Sequence, residues 1–175
     1  MPTRPFRASL VAFALLFECV HLGWEASHGG IVSHHLFQQA DLPALSNLWG
    51  LLVLPALAAW AGRRWFRGPD AMTTTTTRDR RRITLGFVIP LTLGAALSLA
   101  FVFHQQTLTE VIFFGTMLLA LLLPAHRAES LFGFVLGMSW VFGAVLPTLI
   151  GGVIAGLSWL VRSLARLAWR TVRPA

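Results

Sequence analysis

Lysine is missing from this 175-residue chain, and cysteine occurs once, as Cys19. A lone cysteine excludes an internal disulfide and any cysteine-based structural zinc site. Cys19 reads as a small apolar residue facing lipid or a neighbouring helix, not as a reactive thiol. Charge is scarce as well: 12% of residues are charged against 55% hydrophobic, and mean hydropathy is +0.68. That balance leaves little room for a separate soluble domain and fits a polytopic membrane protein. No Gly-x-Ser-x-Gly or His-Glu-x-x-His pattern occurs, so serine-hydrolase and zinc-hydrolase chemistry gains no support.

The charge that is present is strongly sorted. All fourteen basic residues are arginines, and the net charge is +7. Read alone, that excess suggests nucleic acid. The arginines instead sit between or after long apolar runs, with no aromatic and basic platform for bases, so nucleic acid is rejected as a partner. Membrane lipids, including anionic headgroups, are the expected partners, and a homo- or hetero-oligomer is compatible with the sequence.

Apolar runs at about 8–28, 46–62, 83–103 and 110–125 each have roughly the length needed to cross a hydrocarbon core. The first resembles a secretory signal behind Arg4 and Arg7. It contains Glu18 and lacks a clear small-x-small cleavage site, so it reads as a retained span. A longer run, 131–161, would measure about 46 Å as one helix, with Pro147, Gly151 and Gly152 as break points. The expected fold is therefore an all-α polytopic transmembrane bundle over 1–161, with about five spans and four to six compatible with the pattern. Arg162, Arg166, Arg170 and Arg173 share one helical face, so 162–175 reads as a basic amphipathic tail lying at the interface. Five spans would put that tail outside, whereas six would need a tight hairpin near Pro147.

Arg63, Arg64, Arg67, Arg78, Arg80, Arg81 and Arg82 fill the polar loop at 63–82, which also carries the low-complexity run Thr73–Thr77. Cytoplasmic loops hold such arginines, which predicts a cytoplasmic N-terminus in a bacterial inner membrane. The opposite, outer half then collects His21, His28, His34, His35 and His104 with Glu18, Glu25, Asp41 and Glu110.

Within the first span, Glu18, His21, Glu25 and His28 are spaced i, i+3, i+7 and i+10, so all four fall on one stripe of one helix. Glu18 lies near mid-membrane, where ionisable groups are costly and by default mark a site, a proton path or an ion path. Each Glu-x-x-His pair sets a carboxylate and an imidazole one turn apart, the spacing used in di-iron helical bundles. Glu18, His21, Glu25, His28 and His104 are thus candidate ligands for a divalent metal, with iron, manganese or zinc suited to an oxygen and nitrogen set. Glu110 and Asp41 are the candidate acid–base residues, although Asp41 serves equally as a helix cap or turn residue. At most one of the adjacent His34 and His35 can join a given site, and Ser46 and Asn47 read as caps of the second span.

Four functions fit. The first is a metal site open to the outer side, whose catalytic form would be a metalloenzyme acting on a lipid or membrane-soluble substrate. The second is a proton or ion transport component using the stripe as a ladder, and the third is b-type haem held by His21 and His104, ranked lower because the two differ in depth. The fourth is a non-catalytic accessory subunit with an interfacial polar cluster.

Overall fold

The computed structural model describes residues 3–35, 41, 43–65 and 77–172. The centre of the expected loop at 63–82 and the last residues of the tail, Arg173 included, lie outside them. The described chain is overwhelmingly helical: α1 (Thr3–Ser27), α2 (Gly50–Trp65), α3 (Thr77–Val102), α4 (Gln106–Leu122), α5 (Ala128–Phe142) and α6 (Val145–Val172). Between α1 and α2 lie two short strands, β1 (Ser33–His35) and β2 (Ala44–Ser46), and a 3-10 turn at Asn47–Trp49. The strands pair antiparallel, His34 opposite Leu45.

α1 ends where the sequence provides for it. Gly29 and Gly30 take positive φ of 125° and 101°, and the Gly30 N–H reaches back to the Glu25 carbonyl at 3.0 Å, closing the last turn. Ser46 caps the 3-10 turn, its hydroxyl accepting from the Leu48 N–H at 3.3 Å.

The run at 131–161 is not one helix. It breaks at Gly143, whose φ of +66° suits glycine, and not at Pro147. Pro147 instead occupies the first turn of α6, where backbone N–H groups have no intrahelical partner and a missing one costs little. Beyond the break, α6 runs without interruption to Val172, so the arginines at 162 and 166 stand on the same helix as the apolar run.

α5 is the centre of the bundle. Phe132, Gly133, Phe134, Val135, Leu136, Met138 and Ser139 are all buried, the sign of a helix covered on every side. α3 packs closest to it and runs in the same direction. A Cβ on Gly133 would lie 2.4 Å from the Phe87 carbonyl oxygen, and one on Gly137 would lie 2.3 Å from that of Leu91. These two glycines therefore allow backbone-to-backbone approach. On the other side, Ala14 of α1, Leu54, Ala58 and Ala61 of α2, and Phe132 and Val135 of α5 form one apolar core.

Among the described residues, three helices are long and apolar enough to cross a membrane, Phe6–Ser27, Asp79–Val102 and Val145–Trp169, and Gln106–Leu122 and Ala128–Phe142 are shorter apolar helices. Large apolar side chains face outward around the bundle, with Leu16 65%, Leu118 60% and Val153 65% exposed. An apolar surface this extensive points to membrane integration. Because the helices alternate in direction, Arg82, Arg127 and Arg162 gather at one end. The Arg162 guanidinium donates to the Leu122 carbonyl at the end of α4. The β1–β2 hairpin lies at the opposite end.

Candidate functional site

Glu18, His21 and Glu25 stay together on the inner face of α1, as i, i+3 and i+7 spacing requires. Glu18 is fully buried and His21 is 1% exposed. His21 stands between the two carboxylates. Its Nδ1 lies 3.8 Å from Glu18 Oε1, and its Nε2 lies 3.4 Å from Glu25 Oε1. The first separation is beyond hydrogen-bonding distance. Both Glu18 oxygens and His21 Nδ1 are buried without a hydrogen bond among the described residues. A buried carboxylate in that condition is compensated only by a counter-charge or a bound proton.

The first residue of α2 shapes the space for Glu18. A Cβ on Gly50 would stand 1.8 Å from Glu18 Oε1, so only glycine leaves room for the carboxyl group. Below Glu18, away from the hairpin, the packing is apolar, with Ala14, Leu54 and Ala58 buried and Leu10, Val11 and Leu57 against them. Trp140 of α5 covers the imidazole, ring centroids 5.3 Å apart, and Phe17 meets the same indole edge-on at 5.9 Å.

Glu25 is the outer end of the array and is slightly exposed, at 10% of its side chain. Asn47 Nδ2 donates to Glu25 Oε1 at 2.5 Å and the Val32 N–H donates to Oε2 at 3.2 Å, so both oxygens are fixed. Asn47 is itself buried against the α5–α6 turn, where a Cβ on Gly143 would stand 2.0 Å from Asn47 Oδ1. One amide thereby ties α1, the start of α2 and the α5–α6 turn together. His34 turns inward from β1 while His35 is exposed, the alternation that a strand imposes. Burial pushes the His34 imidazole below its ordinary value, partly offset by the nearby charge of Glu25.

The other sequence candidates lie elsewhere. His28 follows the end of α1 and stacks flat on Trp24, centroids 3.8 Å apart, with its Nδ1 beside the Ser27 hydroxyl and the Trp24 carbonyl. His104 is an exposed residue of the α3–α4 turn with φ of 54°. Glu110 is exposed on α4 and accepts from Gln106 Nε2 at 3.1 Å, and Asp41 is exposed in the hairpin turn. Cys19 is exposed on α1.

Among the described residues, no group of three or more His, Cys, Asp or Glu side chains could hold a metal ion. The reason is visible at His21, whose two nitrogens point at different carboxylates, so Glu18 and Glu25 do not converge on one nitrogen's lone pair. A His21–His104 haem pair also lacks the shared depth that it requires, since His21 is buried in α1 and His104 is exposed in a turn.

Asn47, Gly50, Trp140 and Gly143 complete the site, and sequence reasoning gave them other roles or none. Asn47 reads as a cap, and Gly50, Trp140 and Gly143 carry no signal within their own segments. The one available signal was the Ser46-Asn47 pair itself: a single hydroxyl suffices to cap, which leaves the neighbouring amide over.

Comparison with family profiles, curated proteins and solved structures finds no significant match to this chain.

Proposed function

We propose that this chain is a membrane proton-relay component in which Glu25, His21 and Glu18 carry a proton from the outer surface to mid-membrane. The observation that carries the reading is the imidazole of His21 standing between two carboxylates, one nitrogen toward each. Imidazole is suited to this position because it accepts a proton on one nitrogen and releases one from the other. A proton arriving at Glu25 passes to Nε2, the imidazolium releases its Nδ1 proton to a Glu18 oxygen, and return of the ring to its starting tautomer resets the relay. No atom is left over and no cofactor is consumed.

Each neighbour has a part in this scheme. Asn47 and the Val32 N–H fix Glu25 in place, Trp140 excludes lipid from the imidazole, and Gly50 leaves room for the Glu18 carboxyl group whose Oε1 faces Nδ1. The apolar packing below Glu18 closes the inner side, so the path is a half-channel. Glu18 is its terminal proton acceptor, available for coupling to a transported solute or a second subunit. The arginine-rich end, cytoplasmic by the positive-inside rule, sets the entry on the outer face.

The test is proton uptake by the full chain reconstituted in liposomes after a rapid drop in external pH. Wild type takes up a proton that Glu18→Gln does not, and His21→Phe slows uptake while Glu18 remains. Uptake unchanged in both variants overturns the relay. Stoichiometric iron, manganese or zinc in the purified protein, lost with His21→Phe, would replace it with the metal reading.

A further inference from the structure

At the arginine-bearing end of the bundle, remote from Glu18, α3, α4, α5 and α6 surround a cavity of about 370 Å³. Its walls are apolar, including Leu85, Ile89, Leu119, Phe134 and Ile154, and Arg82 and Arg127 line it as well. The size falls within the range of small-molecule pockets, about 300–1,000 Å³. Along α3 the lining extends from Arg82 to Leu93. The eleven helical steps between them measure roughly 16 Å, about half of a hydrocarbon core roughly 30 Å thick. The cavity therefore has the depth of one lipid leaflet, with its arginines at headgroup level.

The sequence builds this space deliberately. Pro90 has no N–H for the Gly86 carbonyl, which leaves that backbone oxygen without its helical partner, and both residues line the cavity. On the α4 wall, the buried Thr116 hydroxyl has no hydrogen bond among the described residues. Arg82 is exposed at the rim. Arg127 lies 3.9 Å from Glu129, and a guanidinium with five N–H donors can keep that neighbour while receiving an anion.

We infer that this cavity holds one acyl chain of an anionic phospholipid, with the headgroup phosphate received by Arg82 and Arg127. The apolar wall and leaflet depth select the chain, and the two guanidinium groups select the negative headgroup. The site is separate from the relay and needs only that the chain sits in a membrane.

Native mass spectrometry of the full chain in detergent, titrated with phosphatidylglycerol, phosphatidylcholine or inorganic phosphate, tests it. One phosphatidylglycerol is retained, and replacing Arg82→Gln together with Arg127→Gln weakens its binding about tenfold without affecting phosphatidylcholine. Arg166→Gln, farther along α6, leaves both unchanged. Photo-crosslinking of wild type with a phosphatidylglycerol carrying a diazirine on one acyl chain labels residues such as Leu93 and Leu119. The same measurement remains available if the double variant does not fold. Equal affinity for the two lipids, retention of a neutral lipid instead, inorganic phosphate binding as tightly as the lipid, or labels confined to the outer faces of α4 and α6 would each overturn the assignment.

Discussion

Replacing Gly50 by alanine perturbs the buried carboxylate without touching any ionisable group. The added methyl would lie 1.8 Å from Glu18 Oε1 and 2.5 Å from Cδ. Ordinary contact needs about 3.5 Å, so the carboxyl group must retreat by roughly 1.5 Å, into surroundings where Leu54 and Ala14 are fully buried. Overpacking of this kind costs about 1–3 kcal/mol. Alanine is the better helix former by up to about 1 kcal/mol, which offsets part of that cost. Gly50→Ala should therefore destabilise the native chain by about 1–2 kcal/mol, yet be neutral or stabilising once Glu18 is already alanine. The change of sign separates the clash from any general effect on α2. Thermal unfolding in detergent of wild type, both single variants and the double variant measures it, at roughly 2–4 °C per kcal/mol for a chain of this size. A coupling between the two sites below about 0.5 kcal/mol, the value expected of independent positions, would refute the packing of Glu18 against Gly50.

Asn47→Asp replaces the amide donor with a second carboxylate beside Glu25, where the present contact is 2.5 Å, and should cost about 2–4 kcal/mol in the same unfolding assay. His34 gives a pH dependence. Its imidazole is held below the ordinary value by burial, so the unfolded chain binds the extra proton first, and stability present above about pH 6.5 is lost as pH falls through the lower native value. His34→Gln should flatten that part of a plot of Tm against pH, and an unchanged slope would assign it to another group. Gly137→Ala places a methyl 2.3 Å from the Leu91 carbonyl oxygen and should cost about 1–3 kcal/mol, whereas Gly156→Ala, with nothing within 4 Å, should be neutral or mildly stabilising.

The helical membrane class and the Glu18–His21–Glu25 triplet were legible in the sequence for the same reason: each depends on periodicity within one segment. Apolar runs reveal helices, and i, i+3, i+7 spacing keeps three side chains on one face whatever the helix packs against. His28 fits that period too, but α1 stops at Ser27, and the positive φ of Gly29 and Gly30 turns the chain before the stripe can continue. A helix end determined by two glycines overrides an angular rule that assumes the helix goes on.

What the sequence could not display was convergence between segments. Asn47 reaches Glu25 from 22 residues away, and Gly50 and Gly143 matter because a side chain from another element occupies the place of a Cβ. His104, Glu110 and Asp41 share with the triplet the arginine-free half of the charge pattern, yet lie at exposed positions on other elements. Membership of one end of a bundle is far weaker than a shared contact. The break at Gly143 was hidden for a local reason: proline is the more conspicuous helix breaker, but in the first turn of α6 it breaks nothing. Placing the turn at Gly143 directs Arg162 and Arg166 of α6 to the same end as Arg82.

The measurement to make first is infrared difference spectroscopy of the reconstituted full chain during a pH step, in H₂O and in D₂O. A carboxylic acid band that appears on acidification, shifts with deuterium, disappears in Glu18→Gln and forms more slowly in His21→Phe is the result expected of a relay ending on Glu18. A band that persists in Glu18→Gln, or that forms at the same rate without the imidazole, would show that protons do not travel through His21 to Glu18.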